Sequence, residues 1–213
     1  MMRKNLSRML VILLMSTFLF PTVGNAADAP LTAQQKYDAL AAKGIFAGMT
    51  DGSAALDQNM NRAQFARVSA LILGLDGIGE TDTKVVTRNP FSDVELGTWY
   101  VEEIAAAKEA GVFVGNADGT FNPRGDITVQ ELAVVATNLL GLEKVEDAKV
   151  DGAADWAAGY IQAILDAKLD FPTNYTEAAQ RANLADLAYL AEPVIAVRKE
   201  EEKQAACRTV EEA

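Results

Sequence analysis

A chain that repeats itself at a fixed offset must stack like units against one another, because one such unit cannot bury its own apolar faces. Sliding this sequence by 67 residues lays Ala42-Lys43-Gly44-Ile45-Phe46 under Glu109-Ala110-Gly111-Val112-Phe113, Gly48 under Gly115, and Asp51-Gly52 under Asp118-Gly119. The clearest copy runs over 91–142. Its first helix is predicted behind Gly97-Thr98, with Glu102 and Glu103 in the opening turn, where the helix dipole favours negative charge, and a stop at Gly111. Val112 to Val114 reads as a short extended apolar run, and Asn116 to Gly125 as turn chemistry built on Asp118-Gly119 and Asn122-Pro123. Thr128 and Glu131 then have the spacing of a capping box. The helix behind them carries Leu132, Val135, Ala136, Leu139 and Leu140 on one stripe.

The first copy, 31–75, places Phe65, Val68, Ser69, Ile72 and Leu73 on the equivalent stripe and Asn61 and Gln64 at the box, but has Thr32 where the second copy has Trp99. The third, 151–195, aligns Trp156 with Trp99 and Ile161 with Ile104, has Lys168 in place of the terminating glycine, and shortens the connector. Two registers are open for its second helix. One puts Gln180-Arg181-Ala182-Asn183 at the box, followed by Leu184, Leu187, Ala188 and Ala191; the other puts Asn183-Leu184-Ala185-Asp186 there, with a less regular stripe. Polar linkers occupy 76–89 and 143–153, and the charged tail 198–213 either extends the last helix or frays. The fold class read from these signals is mainly α: three helix-loop-helix units, each with one apolar helix face in need of a partner.

The series Phe91-Ser92-Asp93-Val94, Trp99, Ala110-Gly111-Val112, Gly115, Asp118-Gly119-Thr120-Phe121, Pro123 and Ile127-Thr128 with Glu131 resembles the S-layer homology domain, a module that anchors bacterial surface proteins to wall polysaccharide. That family's T-R-A-E signature is Thr128-Val129-Gln130-Glu131 here, so this copy lacks the arginine, whereas Arg62 and Arg181 stand at its position in the other two. The resemblance implies three units around a pseudo-threefold axis, with second helices in a central bundle and ligand grooves between neighbours. It also implies a non-catalytic anchor at the bacterial cell wall or cell surface. Its partner would be a cell-wall polysaccharide, with an anionic, pyruvylated polymer among the candidates.

Residues 1–26 read as a secretory signal peptide, with Arg3, Lys4 and Arg8 before an apolar stretch from Met9 to Phe20 and a small-residue cleavage site at Gly24-Asn25-Ala26. That stretch falls well short of the roughly 20 residues that span a bilayer, so the mature chain is expected to be exported and soluble, with no membrane span. Without residues 1–26, 16 basic residues face 30 acidic ones, a net charge near −14. This excludes nucleic acid and anionic lipid as main partners, since both need a basic footprint. The chain has no histidine, and its one cysteine, Cys207, lies in the tail, so the usual nucleophile and base pairs are missing. A carboxylate pair acting on a glycoside stays open in so acidic a chain. Two alternatives therefore stand beside the anchor: the anchoring part of an exported hydrolase, and a lattice protein with no sugar affinity. Neither cofactor nor metal is expected: the stretch from Thr120 to Glu131 mimics a calcium loop but has Thr120 and Arg124 where oxygen-rich ligands are required. The chain is expected to be a monomer.

Asn61, Gln64, Thr128 and Glu131 read as helix caps. Arg62 and Arg181 occupy the second box position, which capping does not use. They project from a first turn beside free N–H groups, where an anionic sugar substituent such as a ketal carboxylate would find charge and donors; pairing with a local acid is the plainer reading. Trp99 and Trp156 suit either a core anchor or an indole stacked on a pyranose, and Asp118-Gly119 either a turn or backbone amides facing a ligand. If each groove lies between one repeat's signature helix and the next repeat's tryptophan, Arg62 pairs with Trp99, Val129 with Trp156, and Arg181 with Thr32. A site within one repeat would instead pair Arg181 with Trp156.

Overall fold

The computed structural model describes residues 30–75 and 86–211, so the signal-peptide reading of 1–26 lies outside the described residues. The chain is mainly helical. Its elements are α1 (Ala33–Ala42), α2 (Arg62–Ile72), α3 (Val101–Glu109), α4 (Val129–Leu140), α5 (Asp155–Asp166) and α6 (Arg181–Glu211). The β structure among the described residues is limited to three isolated bridges.

Local chemistry accounts for most helix ends. Complete capping boxes open α1 through Thr32 and Gln35, α2 through Asn61 and Gln64, and α4 through Thr128 and Glu131. The helix α3 has no side-chain cap, because its N-cap position is Tyr100, whose ring cannot fold back onto the first-turn N–H groups; the Thr98 hydroxyl donates to the Glu95 carbonyl 2.8 Å away. Gly44 and Gly111 terminate α1 and α3 with φ of 72° each, and Lys168 takes the same left-handed conformation after α5 with φ of 57°. A non-glycine residue there costs roughly 1–2 kcal/mol. In the third repeat α6 adopts the register that starts at Arg181, with Leu184, Ala185, Ala188 and Ala191 fully buried. The predicted extended run at 112–114 forms no strand, since no neighbouring strand offers it a ladder; Val112 and Phe113 turn into the core and Val114 is 70% exposed.

The second helices are docked by their N-termini, and the docking runs in one cyclic order. At the start of α2, Arg62 N donates to Gly125 O (2.9 Å) and Ala63 N to Pro123 O (3.0 Å). At α4, Val129 N donates to Glu177 O (2.9 Å) and Gln130 N to Tyr175 O (2.8 Å). At α6, Arg181 N donates to Gln58 O (2.8 Å) and Ala182 N to Leu56 O (2.9 Å). First-turn N–H groups have no partner inside their own helix, and here the connector of the next repeat supplies it. The bridges Asn61–Asp126, Thr128–Ala178 and Asn59–Gln180 join the same three segments.

Helix packing follows the same order. The helix α2 packs on α3, α4 on α5, and α6 on α1, so each second helix meets the first helix of the following repeat. α6 also packs on both α2 and α4. Near its far end Arg198 donates to Leu139 O (3.3 Å) and Lys199 to Gly74 O (3.5 Å). These cations sit at the carbonyl ends of α4 and α2, where the helix dipole favours positive charge. Each repeat therefore depends on its neighbours for both its core and its helix ends. Among the described residues no helix is long and apolar enough to cross a membrane.

Candidate functional site

The connector of the second repeat is built as a rigid floor. Phe91 stacks on Phe121 with centroids 5.2 Å apart, and the Asp93 carboxylate accepts from the N–H groups of Phe121 and Asn122, both at 2.7 Å. Gly115 lies at φ of 79° directly under the Phe91 ring. Asp118 accepts from Thr120 N (3.0 Å) and Thr120 Oγ1 (2.6 Å), closing an Asx-type turn, and Gly119 follows at φ of 82°. The bonds from the Thr120 hydroxyl and amide hold the Asp118 carboxyl below its ordinary pKa. Asp118 and Gly119 thus set the path of the connector backbone.

Over this floor lies Arg62, buried although it belongs to the first repeat. Its Nε donates to Phe121 O (2.7 Å) and its Nη1 to Glu131 Oε1 (2.5 Å), with the guanidinium above the Phe121 ring at 4.8 Å and the Phe113 ring at 5.9 Å. Burial pulls its pKa down, while the negative charges of Glu131 and Asp93 oppose that shift. The other oxygen of Glu131 accepts from Thr128 N and Thr128 Oγ1, both at 2.8 Å. One carboxylate therefore closes a helix cap and neutralises a buried cation from another repeat.

Arg181 repeats the pose on the connector of the first repeat. Its Nε donates to Ala54 O (2.8 Å) and its Nη2 to Ala47 O (2.9 Å), and it sits 5.5 Å from the Phe46 ring centroid. Ala54 and Phe46 are the 67-residue equivalents of Phe121 and Phe113. The equivalent of Glu131 is Gln64, and among the described residues no carboxylate pairs with Arg181. Burial lowers the Arg181 pKa as well. At the third such position the arginine is replaced by buried Val129.

A cavity of about 470 Å³ opens beside Arg62 and Glu131, walled by residues 112–117, by Val134 and Val135 of α4, and by Trp156. Trp156 is 51% exposed and Trp99 57%, so neither indole is a core anchor; Trp99 rests edge-on against Tyr100 at 5.3 Å. The lining of this cavity holds Arg62 together with Trp156, whereas the pairing expected from the sequence set Arg62 with Trp99. The cause is the packing order: α4 lies on α5, which carries Trp156, while Arg62 reaches in from α2 docked on the second connector. One groove thus takes its arginine from the first repeat, its floor from the second and its tryptophan from the third. α2 packs on α3, which starts just after Trp99, and Arg181 lies on the first connector, while α6 packs on α1, which Thr32 caps, and the position equivalent to the arginines on the third connector holds Val129.

The sequence reading also missed the second role of Glu131, although the 67-residue alignment of Glu131 with Gln64 was a visible signal. Gln130 was missed too: its Oε1 accepts from the N–H of Ala154, the N-cap residue of α5, at 3.1 Å and so ties the start of that helix to α4. Among the described residues no cluster of His, Cys, Asp or Glu could hold a metal ion.

The S-layer homology domain model matches residues 90–133, the segment that holds the Phe91–Phe121 floor and Glu131. The chain is 34% identical over 93 residues to Cell surface glycoprotein 1 of Acetivibrio thermocellus, an alignment covering 44% of this chain and 4% of that protein. It is 26% identical over 194 residues to a cell surface protein of Thermoanaerobacter kivui, covering 85% of this chain and 24% of the relative. Exoglucanase XynX of Acetivibrio thermocellus is 34% identical over 104 residues, covering 49% of this chain and 9% of that enzyme. The chain therefore spans no more than about a quarter of the length of these relatives. Residues 90–133 belong to the S-layer homology domain family, in a chain of the bacterial cell surface.

Proposed function

We propose that the chain is a non-catalytic anchor that grips wall polysaccharide at the bacterial surface through grooves of the kind formed by Arg62, Glu131 and Trp156. The observation that carries this reading is that the half-exposed indole of Trp156 and the buried, hydrogen-bonded guanidinium of Arg62 line one cavity. Its volume lies within the roughly 300–1,000 Å³ of small-ligand sites, enough for one or two sugar rings. An indole face covers the apolar side of a pyranose, while charged groups and connector amides meet its hydroxyls. In this proposal Asp118 and Gly119 hold the floor in shape, and Arg181 with Trp99 serves a second groove. The exoglucanase relative extends far beyond the aligned segment, which supports placing catalysis in the rest of that enzyme and anchoring in the shared part.

The test is co-sedimentation with purified wall sacculi, before and after chemical removal of the wall polysaccharide. Binding is expected to the intact wall only, and Trp156→Ala should weaken it by several-fold to about tenfold, from an aromatic contact of roughly 0.5–1.5 kcal/mol. Equal sedimentation with both preparations would favour a lattice protein, and release of soluble sugar would favour an enzyme.

A further inference from the structure

The helix that carries Trp156 is capped from another repeat. α5 has Ala154 at its N-cap and no side-chain cap of its own, and Trp156 stands in its first turn. In the boxes that open α1, α2 and α4, a glutamine or glutamate three residues past the N-cap accepts from the N-cap N–H. At α5 that position is Ala157, which is fully buried and has no acceptor to offer. Gln130 of α4 takes its place: its Oε1 accepts from Ala154 N at 3.1 Å, while its own backbone N–H donates to Tyr175 O at 2.8 Å. Ala63 and Ala182 stand at the equivalent position in the other two copies, and alanine can make no such bond. The body of α5 is held separately. It packs on α4, and the linker before it crosses so closely that Val145 N donates to Gly159 O at 3.1 Å and a Cβ on Gly159 would lie 2.3 Å from Val145 O. The first turn also carries the Lys149–Asp155 pair at 2.7 Å, but both side chains are exposed and such a pair holds little.

We infer that Gln130 is a positioning residue: it supplies the missing half of the α5 capping box from α4, and so holds Trp156 in the wall of the cavity that Arg62 also lines. An N-cap N–H without a partner leaves the first turn of a helix free to fray, and Trp156 lies in that turn. Freeing Ala154 N therefore loosens the indole while the rest of α5 stays packed. An indole already in place spares the binding step the cost of ordering it. The use of the indole rests on the wall-polysaccharide reading above, whereas its placement is a property of the free chain.

Two variants with side chains of similar length separate the bond from the packing. Gln130→Met removes the oxygen acceptor, and Gln130→Glu keeps one beside the positive end of α5. In a Trp99→Phe background Trp156 is the one tryptophan left of two, so its fluorescence reads the indole with no ligand present. Gln130→Met should lower the anisotropy of that fluorescence and raise its quenching by acrylamide, and Gln130→Glu should restore both. With Trp99 intact, Gln130→Met should weaken co-sedimentation with intact sacculi by several-fold, up to the roughly tenfold assigned to Trp156→Ala. It should cost nothing further in a Trp156→Ala chain, because its effect passes through the indole. Unchanged anisotropy and quenching in Gln130→Met would overturn the inference. An equal loss of binding with and without the indole would overturn it as well, since that is the mark of a merely structural role. If the fluorescence responds as expected and Trp156→Ala binds the wall like wild type, Gln130 does set the indole, and it is the groove reading that falls.

Discussion

Gly115 is where backbone conformation, core packing and the groove wall meet, and replacing it by alanine gives a result that can be worked out in advance. The residue sits at φ of 79°, and a Cβ there would lie 2.3 Å from Phe91 Cε1 and 2.9 Å from Cδ1. The left-handed conformation costs an alanine roughly 1–2 kcal/mol. Forcing the Phe91 ring off its stack on Phe121 adds about 1–3 kcal/mol, the usual range for overpacking. The sum, about 2–5 kcal/mol, corresponds to a fall in Tm of about 4–20 °C at the 2–4 °C per kcal/mol typical of chains this long. Gly119 provides the internal control. Its φ is 82°, yet nothing lies within 4 Å of a Cβ built there, so Gly119→Ala should show the backbone strain alone, about 2–8 °C. Thermal unfolding of both variants, followed by circular dichroism, measures the difference directly. If the two melt within a degree of each other, the Phe91 ring does not constrain the connector and the account of the groove floor is refuted.

Lys168→Gly should stabilise the chain by about 0.5–1 kcal/mol, because it removes the left-handed strain after α5 at the cost of some added freedom in the unfolded state; a melting temperature below wild type would count against that assignment. Arg62→Ala should lower stability by about 1–3 kcal/mol as well as weaken wall binding, since it strips Glu131 of its cation; that figure is discounted because the Glu131 side chain is 25% exposed, and urea unfolding with no shift in midpoint would contradict it.

What could be read from the sequence was everything decided within about one helical turn or by the repeat itself. The boxes at Asn61/Gln64 and Thr128/Glu131, the stripe from Leu132 to Leu140, the glycine stop at Gly111 and the preferred register at Arg181 all depend on spacings of one to four residues, which the chain displays directly. The 67-residue offset likewise laid the first copy on the second, and the second carries the resemblance that the match over 90–133 supports. Tertiary structure alone decided who meets whom. The boundary position of Trp99 and Trp156 gave no sign of which way an indole would turn, and both turned to solvent. The pairing of Arg62 with Trp156 depends on α4 packing on α5 and on α2 docking its N-terminus on the second connector, the latter through contacts between residues sixty or more positions apart. The second oxygen of Glu131 became the partner of Arg62 for the same reason. A local pattern specifies which groups a helix offers, but the choice of partner minimises buried unpaired charge and empty volume over the whole assembly of helices, and that minimum is a property of the packed chain rather than of any stretch of it.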